Sequence, residues 1–274
     1  MPLKTLLRTL VTCLALAVPA AAQTAQDARE AYNSGDYATA LTLAAPLSDG
    51  GDPVAQNVMA LLYEEGLAGL PLDIARAMDL YEASAAAGWW VAQRNLGTIL
   101  RDGIPGVPAD PQRALALMTK AHEQGQAAAT LDLAHMYWDG VGTEVDLVEA
   151  RRLLEIAAAQ NDDNALNDLG VLFEDGLGGP ADLDRAKALY RKAAELGNPL
   201  GGLNVATLML ADEAITPEAQ IEAVAWCLWA QAREAGDEFY EESVAEDCAA
   251  VVADAEAADL DAAKTLADSF LARF

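Results

Sequence analysis

AQNVMALLYEEG, residues 55–66, returns three times along the chain. The copies are AQRNLGTILRDG (92–103), ATLDLAHMYWDG (129–140) and ALNDLGVLFEDG (165–176). Each opens on Ala and closes on Gly. Between them lie a small residue at five (Ala60, Gly97, Ala134, Gly170) and a large apolar residue at eight (Tyr63, Leu100, Tyr137, Phe173). The opening alanines are 37, 37 and 36 residues apart. Self-similarity at a fixed period of this size marks stacked supersecondary units, none of which buries its apolar face without a neighbour. The small and apolar positions fall at helical spacing. Each copy therefore predicts an amphipathic helix, here helix A, ended by its glycine in a left-handed cap.

A loop of five or six residues leads from each glycine to an aspartate placed to cap a second helix, helix B: Asp73, Asp110, Asp146 and Asp182. Pro111 is a favoured first-turn proline, and Glu149, three past Asp146, completes a capping-box pattern. Counted from the aspartate, position four is Ala (Ala77, Ala114, Ala150, Ala186) and position seven is Leu (Leu80, Leu117, Leu153, Leu189). Position eleven is small (Ser84, Ala121, Ala157, Ala193), and position fifteen is Gly88, Gly125, Asn161 or Gly197, which tolerate a left-handed turn. The alanines let two helices approach closely, and the leucines fill the space between them.

The composite A-x4-[GA]-x2-[YLF]-x2-G, loop, D-x3-A-x2-L-x3-[AS]-x3-[GN] resembles the Sel-one-like repeat (SLR) family of the tetratricopeptide (TPR) superfamily. The period exceeds the roughly 34 residues of a tetratricopeptide repeat. The extra length lies in Gly- and Pro-containing loops such as GLAGLPLD (66–73) and GIPGVPAD (103–110). Four full repeats occupy 53–88, 90–125, 127–161 and 163–197. Residues 24–52 read as a degenerate TPR-like repeat, with Asp36, Ala40 and Gly51 in the helix B register. Residues 199–236 read as a degenerate SLR repeat in which Ala225, Leu228, Ala232 and Gly236 keep the register and Ile221 replaces the capping Asp. Residues 239–274, helical and heavily charged, would cap the last apolar face. The resemblance implies an all-α fold, a right-handed α-solenoid of stacked helix-turn-helix repeats over residues 24–274 with no internal domain boundary.

Residues 1–22 carry the three parts of a secretory signal peptide: Lys4 and Arg8, an apolar core from Leu10 to Val18, and Ala20-Ala21-Ala22 as cleavage site. The apolar run is shorter than the roughly 20 residues a membrane span needs. An exported product, periplasmic or secreted, is expected. The chain holds 17 basic and 43 acidic residues, a formal net charge of −26. The leader contributes none of the acids. Such a chain repels nucleic acid and anionic lipid. Beyond the leader only Cys227 and Cys248 remain, and export permits a bridge between them. A pair of buried thiols is the alternative.

Catalysis has little support. His122 and His135 sit in no metal-binding spacing, and neither G-x-S-x-G nor a P-loop occurs. The sequence implies no cofactor and no metal, and a non-catalytic protein is expected. In the tetratricopeptide superfamily helix A lines a concave face. The resemblance therefore places a partner-binding surface at positions two, three, six and nine past the opening alanine. These are Asn57 and Glu64; Arg94, Asn95, Thr98 and Arg101; Asp132, His135 and Trp138; Asn167, Asp168 and Glu174; and Asn204 in the degenerate copy. Asparagines offer both donor and acceptor to a peptide backbone. Arg94 and Arg101 mark where an acidic group of a partner would dock. Trp89 and Trp90 are candidate aromatic anchors, as is Trp138, whereas Trp226 and Trp229 fall on packing positions. The expected function is a scaffold for another protein or peptide, with the outer part of an envelope sensor as the narrower case. The alternatives are a cell-wall glycan or peptide binder using Trp138 and Trp89 and, last, a cell-wall or β-lactam hydrolase.

Overall fold

The computed structural model describes residues 24–212, 214–234, 248, 252 and 257–274. The expected leader, residues 1–22, lies outside them, as does much of the expected cap at 239–274. The chain divides into two compact units, one through Leu80 and one from Tyr81 onward. The first holds α1 (Ala25–Asn33), α2 (Tyr37–Asp49), α3 (Pro53–Glu65) and the opening of α4 (Ile74–Ala86), with α1, α2 and α3 mutually packed. After the end of α4, the second holds α5 (Trp90–Asp102), α6 (Pro111–His122), α7 (Ala127–Asp139) and α8 (Leu147–Ala158). It continues with α9 (Asp163–Glu174), α10 (Leu183–Glu195), α11 (Pro199–Leu210), α12 (Pro217–Glu234) and α13 (Ala257–Arg273). From α5 to α12 each helix packs on its successor, and α13 packs on α12. The fold is an all-α solenoid.

Local chemistry sets the helix starts. Oδ1 of Asp36, Asp73, Asp110, Asp146 and Asp182 accepts the backbone N–H three residues on, at 2.9–3.2 Å. Such a cap is worth about 1 kcal/mol. Glu149 does not close the expected capping box; its carboxylate takes two hydrogen bonds from Arg152 at 2.8 and 2.6 Å. Helix A has caps of its own at Asp52, Asp162 and Asn198. Trp89 and Gln126 hold the same position without a side-chain capping bond. In the degenerate last repeat α12 begins ahead of Ile221, where the Thr216 hydroxyl accepts from the Ala219 N–H.

Packing follows the repeat register with one shift. The position-four alanines are buried, from Ala77 to Ala186. Of the position-seven leucines only Leu80 and Leu153 are buried, while Leu117 and Leu189 stay half-exposed. The residue buried in all four copies is the eighth: Tyr81, Met118, Leu154 and Tyr190. Trp229, eight past Ile221, is buried in the same way. In two of the repeats helix A makes room for this side chain with a glycine. A Cβ on Gly97 would meet Met118 at 3.0 Å, and one on Gly170 would meet the Tyr190 ring at 2.5 Å. The other two repeats carry Ala60 and Ala134 at that position, with Tyr81 and Leu154 as eighth residue, so the glycine does not follow from the size of the eighth residue alone.

Two features join elements that are distant in sequence. Cys227 of α12 is disulfide-bonded to Cys248, with Cα atoms 5.3 Å apart. Beside it Trp226 stacks on Phe270 of α13 at 4.3 Å between ring centroids and meets Trp229 edge-on at 5.6 Å. Aromatic pairs of this kind add about 0.5–1.5 kcal/mol beyond area burial. Earlier in the second unit, Gly142 and Gly178 lie against the backbone of the preceding repeat. A Cβ on Gly142 would fall on the carbonyl of Pro111, and one on Gly178 on that of Leu147. Both contacted residues stand one past the capping aspartate. Arg151, buried in α8, lies 3.7 Å over the Phe173 ring, and its Nη1 donates to the carbonyls of Leu177 and Pro180 at 3.3 and 3.4 Å. The fourth loop is thereby fastened to the third repeat.

Candidate functional site

On the second unit, α5, α7, α9 and α11 bring the expected helix A residues into one polar strip. Arg94 of α5 donates through Nε to Asp132 of α7. His135, one turn beyond Asp132, places Nε2 2.7 Å from Oδ2 of Asp168 on α9. Asp168 also accepts from Asn167 Nδ2 at 3.3 Å, and Asn204 of α11 donates to Asn167 Oδ1 at 2.9 Å. Each adjacent pair of helices is thus tied by a bond between face positions. Thr98, Asn95 and Trp138 are half-buried beside them. Glu174, at the end of α9, accepts from the Tyr190 hydroxyl at 2.7 Å.

Several placements differ from those the sequence predicts. Arg94 and Arg101 are not free cations awaiting an acidic partner. Arg94 is paired with Asp132, and Arg101 reaches both oxygens of Asp102 at 2.8 and 2.6 Å. Asn167 is 5% exposed and its amide is engaged, so it supports the strip from beneath. In the first unit, Asn57 is 2% exposed and so is not available as a surface contact, while Glu64 is half-buried. Trp89 stands at the N-cap of α5 and Trp90 is its first residue; their rings are 6.2 Å apart and both are half-buried.

The electrostatics follow from these pairings. The hydrogen bond to Asp168 raises the His135 imidazole above its ordinary value, and the fields of Asp168, Asp132 and Asp139 push the same way. The Asp102 carboxyl is held below the usual range by its hydrogen bonds from Arg101. Burial and the bond to Glu174 push the Tyr190 hydroxyl far up, so it stays a donor.

Beside the strip, at the ends of α5 and α7, opens a cleft of about 460 Å³ lined by Arg101, Asp102, His135, Met136, Asp139 and Val141. The choice of face positions did not include Asp102, Asp139 or the two apolar residues. A signal for the acids was present: the residue ten past the opening alanine is Glu65, Asp102, Asp139 or Asp175, acidic in all four copies. Among the described residues there is no cluster of three or more His, Cys, Asp or Glu side chains fit for a metal ion. No described helix is long and apolar enough to cross a membrane.

Comparison with known proteins adds a family and a fold. Residues 53–89, 90–126, 127–162 and 163–198 each match the sequence model of the family described as Sel1 repeat. A crystal structure of c5321, a protective antigen present in uropathogenic Escherichia coli strains and displaying an SLR fold, is similar at TM-score 0.75 and 23% identity. That match covers 91% of this chain and 56% of the other, so this chain spans little more than half of that protein's length. The crystal structure of a Sel1 repeat protein from Oxalobacter formigenes matches at TM-score 0.68 and 24% identity, over 84% of this chain and 97% of that one. At such identities the likeness is one of fold. No match is found among curated proteins.

Proposed function

This chain belongs to the Sel1 repeat family, whose members generally mediate protein–protein interaction, and from that premise we propose that it is an exported scaffold that binds another protein through the helix A face of its second unit. The observation that carries this reading is the strip Arg94–Asp132, His135–Asp168 and Asn167–Asn204. The side chains at these positions change in charge and polarity from copy to copy, while the packing positions beneath them keep to small or large apolar residues. The inter-helix bonds hold them in one arrangement before any partner arrives. A preorganised surface loses less side-chain freedom on binding and gains affinity accordingly. The leader-like residues 1–22 support export, and a partner in the cell envelope, such as the outer part of a membrane sensor, fits a protein delivered there.

A cross-linking capture from envelope extract tests this. The baits are the mature chain and a variant carrying Thr98→Arg and Trp138→Ala, two half-buried face positions that are not themselves members of the ion pairs. One or more proteins captured by the first bait and lost from the folded variant would support the reading. Equal capture by both would remove the helix A face from it, and recovery of the chain only with insoluble peptidoglycan would favour the glycan-binding alternative.

A further inference from the structure

Charge and shape at the cleft between the ends of α5 and α7 indicate what the partner presents. Of the cations that line it, Arg101 is taken up by Asp102 and His135 by Asp168. Asp139 is exposed, and its carboxylate has neither an ion pair nor a hydrogen bond among the described residues. It is the last residue of α7, as Asp102 is the last of α5. Helix C-termini carry about half a negative charge, so an acid there is unfavourable in the free protein. Two helix ends and a carboxylate that no described side chain hydrogen-bonds, though the fields of Arg101 and His135 reach it, thus converge on a cleft with Val141 as its accessible apolar wall. The group that complements this has a hydrocarbon stem and a cationic head.

We infer that the cleft takes a lysine or arginine side chain of the protein partner, its stem along Val141 and its head on Asp139. The inference rests on the reading of the helix A face as the protein-binding one, and it reverses the charge that Arg94 and Arg101 suggest from sequence alone.

The test is a selection of displayed random twelve-residue peptides on the full chain. The affinities of enriched peptides are then measured by fluorescence anisotropy. The variants are Asp139→Asn, Thr98→Arg and, as a control acid elsewhere on the surface, Glu195→Gln. Enriched peptides are expected to carry Lys or Arg beside an apolar residue. Asp139→Asn is expected to weaken them about tenfold, the equivalent of about 1.4 kcal/mol, and Glu195→Gln less than about twofold. Acidic or uncharged binders, no enrichment, or equal losses with Asp139→Asn and Glu195→Gln would overturn the inference. Binding lost with Thr98→Arg but kept with Asp139→Asn would overturn the anchor and leave the face reading standing. Binding kept by both variants would remove both. Unchanged melting of each variant guards against a folding artefact.

Discussion

His135 Nε2 lies 2.7 Å from Oδ2 of Asp168, and this contact joins α7 to α9 through a group that titrates near neutrality. The folded imidazole has a raised pKa because of that bond. Its stabilising contribution is therefore full below the unfolded value, about 6.5, and fades as the pH climbs through the higher folded value. The side chain is 40% exposed, so solvent screens the pair and the effect is modest. The urea midpoint of the wild type should exceed that of His135→Gln by more at about pH 5.5 than at about pH 9. The same gap at both pH values would show that the pair does not act through its charge.

Gly170 and Tyr190 form the tightest of the small-to-large contacts between helices A and B. Gly170→Ala should cost about 1–3 kcal/mol by overpacking, despite alanine being the better helix former. In a Tyr190→Leu background, which reproduces the Ala134 and Leu154 combination of the third repeat, that cost should largely vanish. A double-mutant cycle in urea reads the coupling directly. Additive single effects would mean that the two side chains do not meet.

Gly178 and Gly106 share a left-handed backbone, with φ of +68° and +90°, but not their surroundings. A Cβ on Gly106 meets nothing within 4 Å, whereas one on Gly178 strikes the Leu147 carbonyl. Both alanine variants should lose about 1–2 kcal/mol to backbone strain. Gly178→Ala should lose a further 1–3 kcal/mol or so to the collision. Thermal melting of the two variants side by side measures the difference, and equal shifts would contradict the loop contact.

The bridge from Cys227 to Cys248 spans 21 residues. A loop of that size restricts the unfolded chain by an amount worth about 3 kcal/mol. Reduction, or paired substitution to alanine, should lower stability by that order, and Trp226 fluorescence should change as its stack with Phe270 loosens. A melting curve indifferent to reductant would count against a structural role for the bridge.

The helices were legible in the sequence because their starts are local events. An aspartate, the N–H three residues on and a following apolar period are enough, and Asp36 through Asp182 behave accordingly. The eighth helix B position escaped notice because it varies from Tyr to Met to Leu, while its neighbour is always Leu. What recurs there is burial rather than residue type, and it emerges only when Gly97 is set against Met118 and Gly170 against Tyr190. The polar strip was half legible. Its positions could be chosen from the repeat, but its pairings could not. Arg94 at position two meets Asp132 at three, and His135 at six meets Asp168 at three. Those offsets depend on how far one repeat is displaced along the next, which no spacing within a single repeat encodes.

The loops at Gly142 and Gly178 make the same backbone contact one repeat apart, each with the residue that follows the capping aspartate of the preceding helix B. The third repeat therefore offers the fourth the same backbone seat that it takes on the second. A duplicate of residues 127–162 inserted after the third repeat would find its glycine seated on a Leu147 carbonyl, but it would bring Thr143 to the place where Gly179 leaves room for the Arg151 guanidinium. Lengthening the array there by copying its own sequence therefore calls for a glycine at that one position.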